Sequence, residues 1–137
     1  MRTIKSKHNE YSFSQAYRFL ENAKQTIAQS SIEYGAYTDE RYTREAAGIA
    51  YLSALKAIDT YLINKGVTQD DLPNSIEEYR KLIGKKIPLN GKLSAALRIV
   101  YDNLHLLAYY RGGTGVKMIK EGFENCKKII DMMAVTK

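Results

Sequence analysis

The chain has 137 residues, 45% of them hydrophobic and 26% charged. That balance predicts one soluble domain over residues 1–137 with a single core, and it argues against a disordered or membrane-spanning chain. The net charge of +6 suits an anionic partner such as nucleic acid or a nucleotide. The densest basic groups, Lys85-Lys86 and Lys127-Lys128, are too short for a basic tract, and solubility accounts for the same charge. One cysteine, Cys126, excludes an intrachain disulfide. With no apolar leader at the N-terminus, a cytoplasmic protein without a membrane partner is expected.

Residues 1–11 are polar and aperiodic, with His8 among them, and read as a frayed tail. Ser12 with Gln15 forms a capping-box pattern. Phe13, Ala16, Tyr17, Leu20, Ala23 and Ile27 then mark one face of a first helix, predicted to run to about 32–34 and to stop at Gly35. Thr38 or Asp39 opens a second helix whose buried face is Ala47, Tyr51, Ala54, Leu55, Ile58 and Leu62. Its many alanines and Gly48 give it a thin surface, and close packing is the physical reason for a glycine there. Asn64-Lys65-Gly66 ends it.

The connection 67–90 is long and holds a short helix opened by the capping box Ser75-Ile76-Glu77-Glu78. Leu89 to Arg111 is the predicted central helix, with Leu93, Leu97, Val100, Leu104 and Leu107 as its buried stripe. Arg111-Gly-Gly-Thr-Gly115 reads as a turn between antiparallel helices. It lacks both the strand and the Gly-Lys-Ser/Thr ending of a P-loop, and as an RGG element it is a single copy. Val116, Ile119, Phe123, Cys126, Ile130 and Met133 mark the last helix, over about 114–133, with Cys126 in the core. The fold class is all-α: an up-and-down four-helix bundle with an additional short helix in the long connection.

Opposite the apolar stripe of the central helix, Arg98, Asp102, His105 and Tyr109 share a strip roughly 60° wide. Arg98 and Asp102 are i,i+4 neighbours, and Asp102 and His105 are i,i+3 neighbours. For a phosphodiester this set is chemically sensible. The histidine can act as acid or base, the arginine can bind a phosphoryl group, and Asp102 can orient the imidazole. Tyr101, Tyr109 and Arg111 are the candidate ligand-binding residues, the tyrosines by stacking on bases. The same strip is equally compatible with a solvated helix face or a polar seam in a homodimer. Two histidines in the whole chain make a zinc site unexpected, no Glu-x-x-His pair of the di-iron bundles occurs, and no cofactor is called for.

Arg98-x6-His105, in RIVYDNLHLLAYYRG, resembles the R-x4–6-H motif of HEPN domains. The first helix (AYRFLENAKQTIAQS) and the LH–YY–G run before the last helix are also similar to HEPN sequences. The resemblance implies a dimeric bundle of four or five helices. In active HEPN proteins the arginine and histidine of two chains line a cleft that cleaves RNA, which would make Arg98 the phosphate-binding residue and His105 the acid/base. Others are non-catalytic and bind nucleotides or proteins, and many work beside a nucleotidyltransferase or antitoxin partner. Active families place a polar residue directly after the arginine, where this chain has Ile99. The two readings are a non-catalytic HEPN-like module, binding nucleotide, nucleic acid or a partner protein as a homodimer, and a metal-independent ribonuclease using Arg98 and His105.

Overall fold

The computed structural model describes residues 10–135. Among the described residues the chain is all-α apart from one two-stranded hairpin. Five α-helices occur among the described residues: α1 (Phe13–Ile27), α2 (Glu40–Asn64), α3 (Ile76–Lys86), α4 (Gly91–Val100) and α5 (Val116–Val135). Most of the tail expected to fray, His8 included, lies outside the described residues. Tyr11, at its inner end, packs against the core, with the Lys56 ammonium 4.9 Å from its ring centre.

Local chemistry sets the helix starts. The Ser12 hydroxyl accepts from the Gln15 amide at 3.1 Å, Asp39 accepts from the Arg41 amide at 3.0 Å, and Ser75 accepts from the Glu78 amide at 3.2 Å. Each satisfies a backbone donor that the first turn leaves without a partner. α1 ends at Ile27, about five residues earlier than its sequence suggests. Ile32–Glu33 (β1) and Ala36–Tyr37 (β2) instead form an antiparallel hairpin, Ile32 opposite Tyr37 and Glu33 opposite Ala36. Tyr34 and Gly35, at φ 52° and 74°, make the left-handed two-residue turn that suits the twist of a hairpin.

The hairpin also fastens the turn before α5. The Tyr37 amide donates to Thr114 O at 2.9 Å and the Val116 amide to Gly35 O at 3.0 Å. The Arg111–Gly115 segment is therefore a connection held by backbone hydrogen bonds.

α2 takes the central place that the sequence suggests for Leu89–Arg111, since α1, α5 and the 101–110 segment all pack on it. By length and mean hydropathy, 1.2 over an 18-residue window, α2 could cross a membrane. Here other helices cover one side of it: Ala46, Ala47, Ala50, Ala54, Ala57 and Ile58 are wholly buried, while Leu52 is 51% exposed. Alanines at these positions let neighbours approach closely. Tyr51 and Leu55, expected on the buried face, are only half-buried. Cys126 is buried, its thiol donating to Ala50 O at 3.2 Å, and burial pushes that thiol up to about 12.

The largest departure from the sequence reading lies in the helix after α4. From Tyr101 to Tyr110 the helix widens into a π-helix, with the Arg111 amide donating to Leu106 O, five residues back, at 3.0 Å. More residues per turn change which side chains line up. The buried row runs Val100, Leu104, Ala108, and Leu107, expected in the core, is 41% exposed. The widened turn is held from α5. The Asn103 amide group donates to Met118 O and to Glu121 Oε1, both at 2.9 Å. Leu104 seats against the bare backbone of Gly122, where an added Cβ would lie 2.5 Å from Leu104 Cδ2.

Candidate functional site

An α-helix fans residues i, i+4 and i+8 over roughly 80°. The wider turn draws them closer to one line, so Tyr101, His105 and Tyr109 form a ladder. Ring centres are 5.3 Å apart from Tyr101 to His105 and 6.0 Å from His105 to Tyr109, the second pair nearly parallel at 12°. α2 supplies a fourth ring: Tyr51 stacks on His105 at 4.7 Å with 27° between planes. Gly48, one turn earlier on α2, lets Tyr109 lie flat against the helix; a Cβ there would sit 3.2 Å from Tyr109 Cδ1. Close packing is thus the role of this glycine.

α3 adds a cation. The Arg80 guanidinium stands 5.8 Å from the centre of the Tyr101 ring, within cation–π range. Burial, reinforced by the neighbouring Tyr101 and opposed by Arg80, pushes the Tyr51 hydroxyl up to about 12. Tyr51 is therefore a neutral phenol throughout the physiological range.

Arg98 and Asp102 pair at 4.0 Å, with side chains 79% and 50% exposed. An ion pair so long and so exposed contributes little stability. No hydrogen bond among the described residues joins Asp102 to His105, so the aspartate stands beside the arginine and the imidazole is oriented by rings. Arg111 closes the π segment through its amide; its exposed side chain makes no ring contact or ion pair with the cluster among the described residues. Arg44 of α2 instead caps the segment, its Nη1 donating to Tyr109 O at 2.8 Å and Tyr110 O at 3.3 Å. Of the six residues read from sequence, Tyr101, His105 and Tyr109 share one aromatic cluster, Arg98 and Asp102 form a pair, and Arg111 stands apart. That Tyr51, Gly48 and Arg80 join this cluster was not readable from the sequence, because they come from other helices. No cluster of three or more His, Cys, Asp or Glu able to hold a metal occurs among the described residues.

A family model described as a domain of unknown function, DUF5618, matches residues 11–135. The chain belongs to that family. A solved structure of a protein of unknown function from Dyadobacter fermentans is similar to it. The two are 28% identical, with a TM-score of 0.74 over 88% of this chain and 92% of that one. No curated protein matches the chain significantly. The family match takes in every residue of the aromatic face, from Gly48 to Tyr109, and assigns it no role.

Proposed function

We propose that this chain is a HEPN-like helical module, a four-helix bundle with one short added helix, that acts as a homodimer and binds a base-bearing ligand, a nucleotide or single-stranded nucleic acid, without turning it over. The observation that carries this reading is the cluster of Tyr51, Tyr101, His105 and Tyr109 at the surface, with Tyr109 48% exposed. Exposed aromatic faces bind bases by stacking, tolerantly of sequence, and each stacked base contributes about 1–3 kcal/mol. The surplus of positive charge favours the phosphates of such a ligand. His105 stacked among tyrosines, without a carboxylate to orient it, supports binding over acid–base chemistry. Fluorescence anisotropy with a short labelled single-stranded RNA tests the reading. Binding by the native chain and its loss in Tyr109→Ala are expected; equal affinity in both would remove the aromatic face from the account.

The second reading is the metal-independent ribonuclease, favoured by the placement of an exposed Arg98 and a half-buried His105 on one continuous helix. In that case two copies would bring both pairs to one cleft. RNA cleavage that disappears in His105→Ala with folding intact would establish it, and a native protein that leaves RNA whole would end it.

A further inference from the structure

We infer that Arg80, on the short helix α3, is the phosphate-binding residue of the aromatic face, so that a base-linked phosphate ester lies across α3 and the π segment. The inference rests on the base-binding reading above and adds the residue that grips the anion. The placement of the arginines around the cluster carries it. Arg98 faces Asp102, Arg44 is engaged by Glu40 at 3.2 Å and by two carbonyls, and Arg41 is paired with Asp39 at 2.8 Å. Arg80 forms no ion pair with any described carboxylate, and its guanidinium stands by the Tyr101 ring. At 5.8 Å, near the outer limit of cation–π range, the guanidinium keeps its fork of donors available to a phosphate's paired oxygens.

α3 is built to hold that arginine in place. Its Ile76, Tyr79 and Ile83 are buried, and the Tyr79 hydroxyl, on the residue before Arg80, donates to Asp59 of α2 at 2.8 Å. The cation is thus presented on the outer side of a helix whose inner face is buried and tied to α2 through Tyr79 and Asp59. Distances agree with a nucleotide. The ladder steps of 5.3 Å and 6.0 Å put Tyr109 at most about 11 Å from Tyr101. With the Arg80 guanidinium 5.8 Å from the Tyr101 ring, a phosphate at Arg80 is within one nucleotide of a base beside Tyr101, and a base on the open side of Tyr109 lies roughly two nucleotides further along a strand.

The experiment is salt-dependent anisotropy with the short labelled single-stranded RNA, using native chain, Arg80→Ala, Arg80→Lys, Arg98→Ala and Tyr109→Ala. Adenosine and its 5′-monophosphate serve as competitors. Arg80→Ala should weaken RNA binding roughly tenfold and lower the slope of log affinity against log salt by about 0.7, the loss of one phosphate contact on a single strand. Arg80→Lys should restore the slope, because the charge returns. In the native chain the monophosphate should compete better than adenosine, and in Arg80→Ala the two should compete alike. A monophosphate that fully displaces the RNA would make the free nucleotide the ligand; one that competes only weakly would make it the strand. Native affinity and slope in Arg80→Ala, with binding lost in Tyr109→Ala, would overturn the assignment and leave the aromatic reading intact. A slope change in Arg98→Ala alone would move the phosphate to Arg98. A native chain that binds neither RNA nor nucleotide would defeat both readings.

Discussion

The imidazole of His105 lies on the phenol ring of Tyr51, 4.7 Å between centres and 27° between planes, joining the π segment to the central helix α2. A histidine used in this way contributes a flat aromatic surface. The same residue in a nuclease contributes a titrating proton. The two roles separate on substitution.

His105→Phe keeps the ring and removes the nitrogens. If stacking is the role, the variant should fold with native stability to within about 1 kcal/mol and bind single-stranded RNA within about twofold of the native chain. If acid–base chemistry is the role, binding persists while cleavage vanishes. Parallel binding and cleavage assays on one preparation distinguish the outcomes.

The π register makes Leu104 and Leu107 unequal. Leu104 is fully buried against Gly122, whereas Leu107 is 41% exposed. Leu104→Ala should cost about 2–5 kcal/mol in denaturant unfolding, and Leu107→Ser under about 1 kcal/mol. Equal costs would mean that the helix is α-helical throughout.

Gly122→Ala tests the seat beneath Leu104 from the other side. Its Cβ would fall 2.5 Å from Leu104 Cδ2 and 2.6 Å from Cγ, atoms that buried packing holds in place. The expected loss is about 1–3 kcal/mol, despite the better helix propensity of alanine. Combined with Leu104→Ala, much of that added cost should disappear, a coupling readable in a double-mutant cycle.

Asp59 gives the fold a pH dependence. Burial raises its carboxyl to about 6, outweighing the hydrogen bond from Tyr79 and the charge of Lys56, both of which pull it down. An unfolded aspartate titrates near about 3.9, so between about pH 4 and 6 the folded chain binds more protons and this group's contribution falls as pH rises. Asp59→Asn removes the effect and can still accept from Tyr79. Thermal melts should show the variant gaining on the native chain across that window, by at most roughly 2–3 kcal/mol above pH 6. A constant difference between the two from pH 4 to 8 would contradict the assignment.

Leu107 and Tyr110 are 41% and 71% exposed near the end of the π segment, and a second copy of the chain is the proposed cover, leaving the Tyr109 face to the ligand. Light scattering at micromolar concentration should report a dimer, and Tyr110→Asp should shift it to monomer by burying an unpaired charge. A native monomer would remove the homodimer from the functional reading.

Much of the fold was legible locally. The Ser12, Asp39 and Ser75 caps are where the sequence puts them, as are the apolar row of α5, the closely packed Gly48 and the apolar row of α1 except Tyr17, which is 39% exposed. Two features were not. The 32–37 hairpin is fixed by hydrogen bonds to Thr114 and from Val116, far away in sequence. The π segment has the apolar spacing of an α-helix, and its register is decided by Asn103 and Leu104 meeting Met118 and Gly122. The site was half legible for the same reason. Residues on one helix can be grouped by periodicity, whereas Tyr51 and Arg80 join them only once three helices have assembled.

A helix that widens over 101–110 has taken up surplus chain without expelling it as a loop. Relatives that stay α-helical there are expected to be shorter by a residue or more inside the helix itself. Aligning them with this chain then requires a gap in the middle of a helix. A gap-free alignment would set their core leucine against exposed Leu107 and misassign the aromatic ladder, while every connecting loop kept its length.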